Sequence, residues 1–110
     1  MRPSEVLPQH RETIRQLVLQ AGMANPRVFG SVLHGDDEEG SDLDLLVDPA
    51  PRASLLTMVK LQSQLEQTTG IKIDLRTPAE LHPRFRSKVL AEAASLRDMT
   101  PLRAENTPRA

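Results

Sequence analysis

The first part of the chain has apolar residues at the spacing of an amphipathic helix. They fall at i, i+3, i+4 and i+7, in the order Ile14, Leu17, Val18 and Ala21. This spacing lines one face of an α-helix. We therefore predict a helix from Ser4 to about Gly22, with the glycine as its C-terminal stop and Pro8 restricting its first turns.

Two short strands are predicted next, on either side of a polar loop. Asn25-Pro26 breaks the helix, and Arg27-Val28-Phe29 after it is typical of a short strand. Leu43 to Val47 is a second apolar segment of strand length. Between them, Gly30 to Ser41 is predicted to be a loop, with one helical turn at Ser31–His34.

The second half of the chain repeats the alternation of helix and strand. Ala53 to Thr69 is apolar on one face and is followed by glycine, which predicts a helix. Ile71 to Arg76 alternates apolar and polar residues, as a half-buried strand does. Thr77 to Glu80 has the form of a capping box with proline at the first helical position. The apolar face predicted for the last helix consists of Phe85, Val89, Ala93 and Leu96.

These elements predict an α/β (α+β) domain with the order α-β-β-α-β-α. In this class a small mixed sheet, here of about three strands, is covered by helices packed on it. A length of 110 residues allows one such domain. We assign residues 1–98 to the domain and predict that residues 99–110, which contain two prolines, form a disordered tail.

The composition argues against several classes of function. The net charge of −1 argues against general affinity for nucleic acids or anionic membranes, and no apolar stretch is long enough to span a bilayer. The absence of cysteine removes disulfides, thiolate metal sites and cysteine nucleophiles, and it is consistent with a cytoplasmic protein. With two Phe and no Trp or Tyr, platforms for stacking nucleic-acid bases are almost unavailable.

Two aspartates stand at the start of the second predicted strand. Asp42 and Asp44 point to the same face, because alternate residues of a strand share a face, and their Cα atoms are about 7 Å apart. Like charges so placed repel each other unless cations neutralise them. Mg²⁺ prefers carboxylate oxygens and leaves positions for substrate phosphates, and a pair of such ions supports in-line phosphoryl chemistry.

Two further features can complete such a site. Gly30-Ser31 follows the first predicted strand, where glycine permits close backbone approach and the turn amides and serine hydroxyl can face phosphate. Asp74 lies in the third predicted strand between two apolar residues. If that strand neighbours the second, Asp74 faces the same site as a metal ligand or as the base for an attacking hydroxyl. Together these features indicate a catalytic site, although each of them alone is common on protein surfaces.

Other polar residues are better explained as solvated surface. The acidic residues 36–39 form a solvated loop that lacks the spacing of a Ca²⁺ loop. His10 and His82 have no partners at zinc-ligand spacing. The basic residues within 84–88 are candidates for triphosphate contact, but a solvated helix face is the better explanation. His34 stays open between a polar loop residue and a phosphate contact.

In this order and spacing, the motif resembles the DNA polymerase β-like nucleotidyltransferase superfamily. That superfamily combines Gly-Ser, a spacer, Asp-x-Asp and a later single Asp on another strand. Here these are Gly30-Ser31, the ten residues Val32–Ser41, Asp42-Leu43-Asp44, and Asp74. The chain is most similar to the minimal nucleotidyltransferases, the MNT group, over about residues 10–97. Members of that group are commonly antitoxins paired with HEPN ribonuclease toxins.

The resemblance implies the polymerase β-like fold and a Mg²⁺ site, with two ions, held by Asp42, Asp44 and Asp74. In the superfamily the last of these also assists the attacking hydroxyl. The implied nucleotide-binding residues are Gly30, Ser31, Ser41 and His34. One departure from the family pattern is His34, because many relatives have arginine immediately before the second glycine of the loop.

The reaction implied by the resemblance is transfer of AMP from ATP to a hydroxyl, with release of pyrophosphate. In the HEPN pairs the acceptor resembles a tyrosine of the toxin, which implies a hetero-oligomer. This chain contains no Tyr, so a tyrosyl acceptor must come from a partner. A domain of this size also leaves little surface for binding a separate acceptor, which favours a protein partner that completes the site.

Three functions remain open from the sequence. The first is an enzymatic antitoxin that transfers AMP to its HEPN partner, and the second is a binding module that inhibits the partner by occlusion. The third is a small-molecule nucleotidyltransferase of the aminoglycoside-modifying type, which the lack of an acceptor domain disfavours. Direct nucleic-acid binding is not expected for any of them.

Overall fold

The computed structural model describes residues 2–51 and 53–96 of the chain. Its helices are α1 (Pro3–Gln20), α2 (Ser31–His34), α3 (Leu55–Thr69) and α4 (Pro83–Glu92). Its strands are β1 (Ala24–Phe29), β2 (Leu43–Asp48), β3 (Ile73–Arg76) and β4 (Ala94–Ser95), and a 3-10 turn, Pro78–Glu80, follows β3. The tail predicted for residues 99–110 lies outside the described residues.

The strands form one sheet in the order β3-β2-β1-β4. β1 pairs antiparallel with both β2 and β4, whereas β2 pairs in parallel with β3. A parallel pair needs a crossover connection, and α3 supplies it. The register of this pair sets Asp44 beside Asp74 and Leu45 beside Leu75. Because side chains alternate along a strand, the leucines share one face of the sheet and the aspartates share the other.

The apolar face of the sheet is covered by α1 and α3. Both helices pack on the sheet and on each other. Burying an aliphatic side chain of this kind stabilises the fold by about 1.5–3 kcal/mol, so the stability of the domain is concentrated on this face. Fully buried residues here are Ile14, Val18, Val28, Leu45, Leu61 and Leu65.

Local side-chain chemistry sets both ends of α3. The hydroxyl of Ser54 accepts a hydrogen bond from the Thr57 amide at 3.2 Å, so this serine is the N-cap. At the other end Gly70 has φ +75°, the left-handed conformation that ends many helices. The apolar pattern predicted that this helix begins at Ala53. It begins at Leu55 instead, because Ser54 caps it.

The C-terminal part of the domain differs from the prediction. The capping box of Thr77–Glu80 closes a 3-10 turn, and a separate helix begins at Pro83, whose missing N–H suits a first helical position. Ala94–Ser95 pairs with the free edge of β1, and the Leu96 amide donates to the Pro26 carbonyl oxygen at 3.0 Å. The sheet therefore has four strands, and the prediction of about three was one too few.

α4 is less buried than its sequence pattern predicted. None of its residues is buried, and Phe85 is 55% exposed. Leu96 is buried, but it lies in the turn after β4 and not in the helix. The spacing of the apolar residues matched a helix, although only Leu96 of the four joins the core.

The acidic loop holds a structural residue that the sequence analysis missed. Asp37 is 2% exposed, and its carboxylate accepts a hydrogen bond from the Ser4 amide at 2.8 Å. The hydrogen bond from this amide lowers the pKa of Asp37. One of the free amides at the start of α1 is thereby capped from a distant loop. The prediction that residues 36–39 form a purely solvated loop was wrong for Asp37.

The fold class is confirmed: a mixed α/β domain with helices packed on a small sheet. The helical turn predicted at Ser31–His34 is present as α2. Within the described part of the chain, no helix has the length and apolar character needed to cross a membrane.

Candidate active site

The parallel pairing of β2 and β3 brings two of the predicted carboxylates together. Asp44 and Asp74 occupy paired positions on the face opposite the core. Burial, followed by the neighbouring Asp74 carboxylate and the charge of Asp42, raises the pKa of Asp44 to about 6. Asp44 therefore ionises at a higher pH than an ordinary aspartate when no cation is present.

Arg76 partly compensates this charge. Its Nε lies 3.0 Å from Oδ1 of Asp74, and the two side chains are 46% and 32% exposed. The hydrogen bond and the charge of Asp74 raise the pKa of Arg76, so the guanidinium stays charged. Arg76 and Asp74 lie two positions apart on β3, which places both on the carboxylate face. Arg76 was not predicted from the sequence to be part of the site.

Asp42 stands at the exposed entrance of β2 and not within the strand. It is near enough for its charge to act on Asp44. Among the described residues, no three His, Cys, Asp or Glu side chains are already gathered around one point. The structure thus forms the pair of Asp44 and Asp74, while Asp42 has to rotate inward if all three are to hold one ion.

The donor set fits Mg²⁺. All three candidates are carboxylates, the ligands that this hard cation prefers, and their partial exposure leaves room for water. A cation at this position would also relieve the repulsion that raises the pKa of Asp44. Arg76 has to release Asp74 for that carboxylate to become a ligand.

Gly30 lies directly against the carboxylate of Asp44. Its backbone has φ +73° and ψ −149°, a region that only glycine adopts readily. A Cβ at this position would overlap Asp44 Oδ2 and lie 3.0 Å from Asp44 Cγ. Phe29, the residue before it, pairs with Asp44 across the sheet. The turn predicted to face phosphate is therefore in contact with the predicted metal ligand.

The other predicted nucleotide-binding residues have no contact with the carboxylates that the structure shows as clearly as that of Gly30. Ser31 is the first residue of α2, beside Gly30. The Ser41 hydroxyl accepts a hydrogen bond from the Glu38 amide at 2.9 Å, which closes the loop before Asp42. His34 is 51% exposed, and its Nε2 lies 3.2 Å from Glu92 Oε1 at the end of α4. Ser41 and His34 thus have structural partners, and their contact with a nucleotide stays a prediction.

A cavity of about 370 Å³ lies between the carboxylate face and α4. Its floor is formed by Phe29, Asp44 and Asp74 of the sheet. Its outer wall consists of Leu81, His82, Phe85 and Val89, and Arg76 stands at its edge. The loose packing of α4 therefore leaves space in front of the carboxylates.

Arg86 illustrates why the basic residues of α4 were ambiguous in sequence. Its guanidinium donates to the carbonyl oxygens of Pro78, Ala79 and Leu81 at 3.0–3.3 Å. Arg86 therefore fixes the 3-10 turn to the helix. Arg84 and Lys88 are exposed, as expected for a solvated helix face.

Replacing Gly30 by alanine tests whether its contact with Asp44 shapes the metal site. Gly30→Ala should displace the Asp44 carboxylate and weaken Mg²⁺ binding by about 10–100-fold. Gly35→Ala is the matched control, because Gly35 also has positive φ but nothing lies within 4 Å of its Cβ position. The control should lose about 1–2 kcal/mol of stability through backbone strain and retain Mg²⁺ affinity. Calorimetric titration and urea denaturation measure the two quantities, and equal Mg²⁺ affinities of the two variants would contradict the expectation.

The raised pKa of Asp44 predicts a pH-dependent cost to the metal-free fold. The folded chain keeps the Asp44 proton up to about pH 6, whereas the unfolded chain releases it near 3.8. The contribution of Asp44 to stability is therefore fully present below pH 3.8 and is lost as the pH rises through about 6. Asp44→Asn should thus stabilise the protein at neutral pH by about 1–2 kcal/mol, allowing for solvent screening.

Urea denaturation in EDTA across this pH range measures the difference. The advantage of Asp44→Asn should disappear near pH 3.8, the ordinary pKa of the group. Asp36→Asn, which removes an exposed aspartate outside the site, is the control and should not show this pH dependence. If Asp44→Asn is less stable than the original chain at neutral pH, the charge of Asp44 does not destabilise the fold.

Comparisons with known proteins identify the family of this chain. The family described as "Polymerase beta, Nucleotidyltransferase" matches residues 20–99. Protein adenylyltransferase MntA of Thermococcus cleftensis is 33% identical over 87 residues, which cover 79% of this chain and 85% of that protein. A solved structure provisionally described as a minimal nucleotidyltransferase is 40% identical with a TM-score of 0.74, covering 82% of this chain and 92% of that one.

A third comparison is more distant and shows a shared fold. It is the complex of a tri-AMPylated Shewanella oneidensis HEPN toxin with an MNT antitoxin, with a TM-score of 0.62 at 17% identity. The match covers 80% of this chain and 69% of that one. The family match over most of the chain and the similarity to the adenylyltransferase both place the sequence in one group: this chain belongs to the polymerase β nucleotidyltransferase family.

Proposed function

We propose that this nucleotidyltransferase transfers AMP from ATP, in the presence of Mg²⁺, to a tyrosine hydroxyl of a partner HEPN toxin and so acts as an antitoxin. The observation that carries the proposal is the pairing of Asp44 with Asp74 next to Gly30. This arrangement sets two carboxylates beside a glycine turn, on the open face of the sheet. The choice of AMP is supported by the relative named as an adenylyltransferase.

The proposed roles divide the site into two sides. Gly30 and Ser31 lie on the β1 side of Asp44 and receive the terminal phosphates of ATP, with Ser41 and His34 at the edges of the nucleotide site. Asp42, Asp44 and Asp74 would hold Mg²⁺, which neutralises the triphosphate and polarises the reacting phosphoryl group when bound. Asp74 lies on the opposite side of Asp44 from the turn, and it accepts the proton of the attacking hydroxyl.

The transfer forms one bond and breaks one. The hydroxyl oxygen of the acceptor attacks the α-phosphorus of ATP, and the bond from that phosphorus to the bridging oxygen of the β-phosphate breaks. Pyrophosphate carries away the electron pair, and the hydroxyl proton passes to Asp74 and then to water. The product is a phosphodiester in which the α-phosphate joins the acceptor oxygen to adenosine.

Two features of the chain support an acceptor on another protein. It contains no Tyr, so tyrosine self-modification is impossible. The outer wall of the cavity is α4, which has no buried residue among its ten, so the space in front of the carboxylates is bounded by a loosely packed element. The AMPylated HEPN toxin bound to an MNT antitoxin is an example of such a pair in a protein of the same fold. We place the reaction in the cytoplasm, where both ATP and Mg²⁺ are available.

Inhibition of the partner by occlusion is the second candidate function. The observation that favours it is a group of exposed apolar residues at the start of α3, Leu55, Leu56 and Val59, which are 56–77% exposed. Such a surface can stabilise a protein complex without any chemistry. The two functions differ in whether neutralisation of the toxin needs ATP and the carboxylates.

Removal of the first two carboxylates separates these functions. Asp42→Asn combined with Asp44→Asn should lower AMP transfer by at least about a thousandfold, because the Mg²⁺ ligands are lost. Asp36→Asn combined with Glu38→Gln removes the same charge from exposed positions outside the site and should retain activity. The measurement is the intact mass of a HEPN protein that forms a complex with this chain, after incubation with each variant, Mg²⁺ and ATP.

Cell protection gives the second readout of the same variants. If the carboxylate double variant binds the partner but no longer protects cells from it, enzymatic neutralisation is supported. Protection that survives without AMP transfer would refute the enzymatic account and establish occlusion. An unmodified partner after incubation with the original chain would refute the proposed acceptor.

A further inference from the structure

The aromatic rings of this chain converge on one cavity. The sequence contains two Phe and no Trp or Tyr, and both Phe29 and Phe85 line the cavity in front of Asp44 and Asp74. The imidazole of His82 lines it too, with its centroid 5.8 Å from that of Phe85 and the rings inclined at 52°. A chain with so few rings therefore places them where a planar group can be held beside the carboxylates.

The ring pair of His82 and Phe85 stands on the Asp74 side of the site. It follows β3 through the 3-10 turn, and β3 is the edge strand farthest from β1 among the three that form the site. The glycine turn proposed for the phosphates follows β1 on the other side of Asp44. A group bound against this ring pair lies in the cavity that Asp74 also lines, next to the carboxylate proposed to receive the acceptor's proton.

Hydrogen bonds hold this ring pair in position although its faces are open. The Arg84 amide donates to His82 Nδ1 at 3.1 Å, and the Phe85 amide donates to the His82 carbonyl oxygen at 2.9 Å. Because Nδ1 accepts, the proton of the neutral ring resides on Nε2. The hydrogen bond from Arg86 to the Pro78 carbonyl oxygen also holds the start of α4 against the 3-10 turn. Phe85 nevertheless keeps 55% of its surface exposed, which core packing does not explain.

We propose that His82 and Phe85 bind the aromatic ring of a phenolic acceptor and present its hydroxyl to Asp74. The proposal rests on the function proposed above and adds the residues that select the acceptor. An aromatic ring packs favourably against the edge or face of Phe85, whereas an aliphatic hydroxyl side chain gains nothing there. The phenol oxygen then attacks the α-phosphorus as described, with pyrophosphate as leaving group and the phenol proton passing to Asp74.

The adenine ring is the other planar group that the cavity could receive. If it occupied this place, the ribose would lie beside Asp74, between the ring pair and the α-phosphate. The acceptor hydroxyl would then compete with the nucleotide for the space beside Asp74. A phenolic ring avoids this conflict, because its hydroxyl is the atom that has to approach the carboxylate.

The binding test uses the full chain with N-acetyl-tyrosinamide as the phenolic probe and Mg²⁺ with AMP-PNP as the nucleotide probe. With two Phe residues, the aromatic NMR spectrum resolves Phe85 from Phe29. We expect magnetisation transfer from the probe's phenol ring to Phe85, and none from the adenine of AMP-PNP. Transfer from adenine to Phe85, or no transfer from either probe, overturns the proposal. This readout needs no catalysis, so it is independent of whether AMP is transferred.

The kinetic test compares Phe85→Leu with Leu90→Ala. The first keeps an apolar side chain but removes the planar ring, and the second alters another exposed apolar residue of α4 that does not line the cavity. Phe85→Leu should raise KM for N-acetyl-tyrosinamide by about 3–10-fold and leave the Kd of AMP-PNP within about twofold. Leu90→Ala should change neither constant.

The outcomes separate the two proposals. A rise in the Kd of AMP-PNP with unchanged KM for the phenol would assign the rings to the nucleotide and overturn the inference. Unchanged constants for both probes would overturn it as well. If the original chain transfers no AMP to any hydroxyl while the phenol still contacts Phe85 in the NMR measurement, the proposed function fails and the assignment of the ring site stands.

Discussion

The in-register parallel pairing of β2 and β3 is the constraint on which the site depends. It sets Asp44 beside Asp74 on a partly buried face, and burial together with this proximity raises the pKa of Asp44. A fold optimised only for stability would avoid two neighbouring carboxylates. Here Arg76 offsets part of the repulsion between the carboxylates. The repulsion that is not offset favours the binding of a cation. The same two partly buried, neighbouring carboxylates thus attract a metal ion and destabilise the metal-free protein.

The rest of the domain keeps this pair in place with few residues. α1 and α3 fix the opposite face of the sheet through the aliphatic core, so β2 and β3 cannot change register without exposing Leu45 and Leu75. Gly30 fits against the Asp44 carboxylate from the β1 side. By contrast, α4 contributes no buried residue and stands off the carboxylate face. The molecule therefore has a well-packed layer of α1 and α3 on one face of the sheet. On the other face the loosely packed α4 leaves space where a partner can approach.

The sequence alone predicted the strands and helices whose apolar residues recur at regular spacing. It did not predict features that depend on tertiary contacts. The alternation in β2 and β3 predicted that the aspartates face away from the core, and the structure places them so. Arg76 was missed because an arginine at the end of a strand is common on surfaces. Asp37 was assigned to a solvated loop because its contact with Ser4 spans 33 positions of the sequence. β4 was assigned to a helix because Ala93 and Leu96 fit helical spacing, although pairing with β1 determines their conformation.

The most direct test of the central claim is a crystal structure with AMP-PNP and Mn²⁺, which replaces Mg²⁺ at carboxylate sites and can be located by its anomalous scattering. We predict Mn²⁺ coordinated by Asp42, Asp44 and Asp74, with Arg76 released from Asp74 and the terminal phosphates at Gly30–Ser31. Mn²⁺ bound at the acidic residues 36–39, or a triphosphate bound elsewhere while the Arg76–Asp74 ion pair stays intact, would contradict the account.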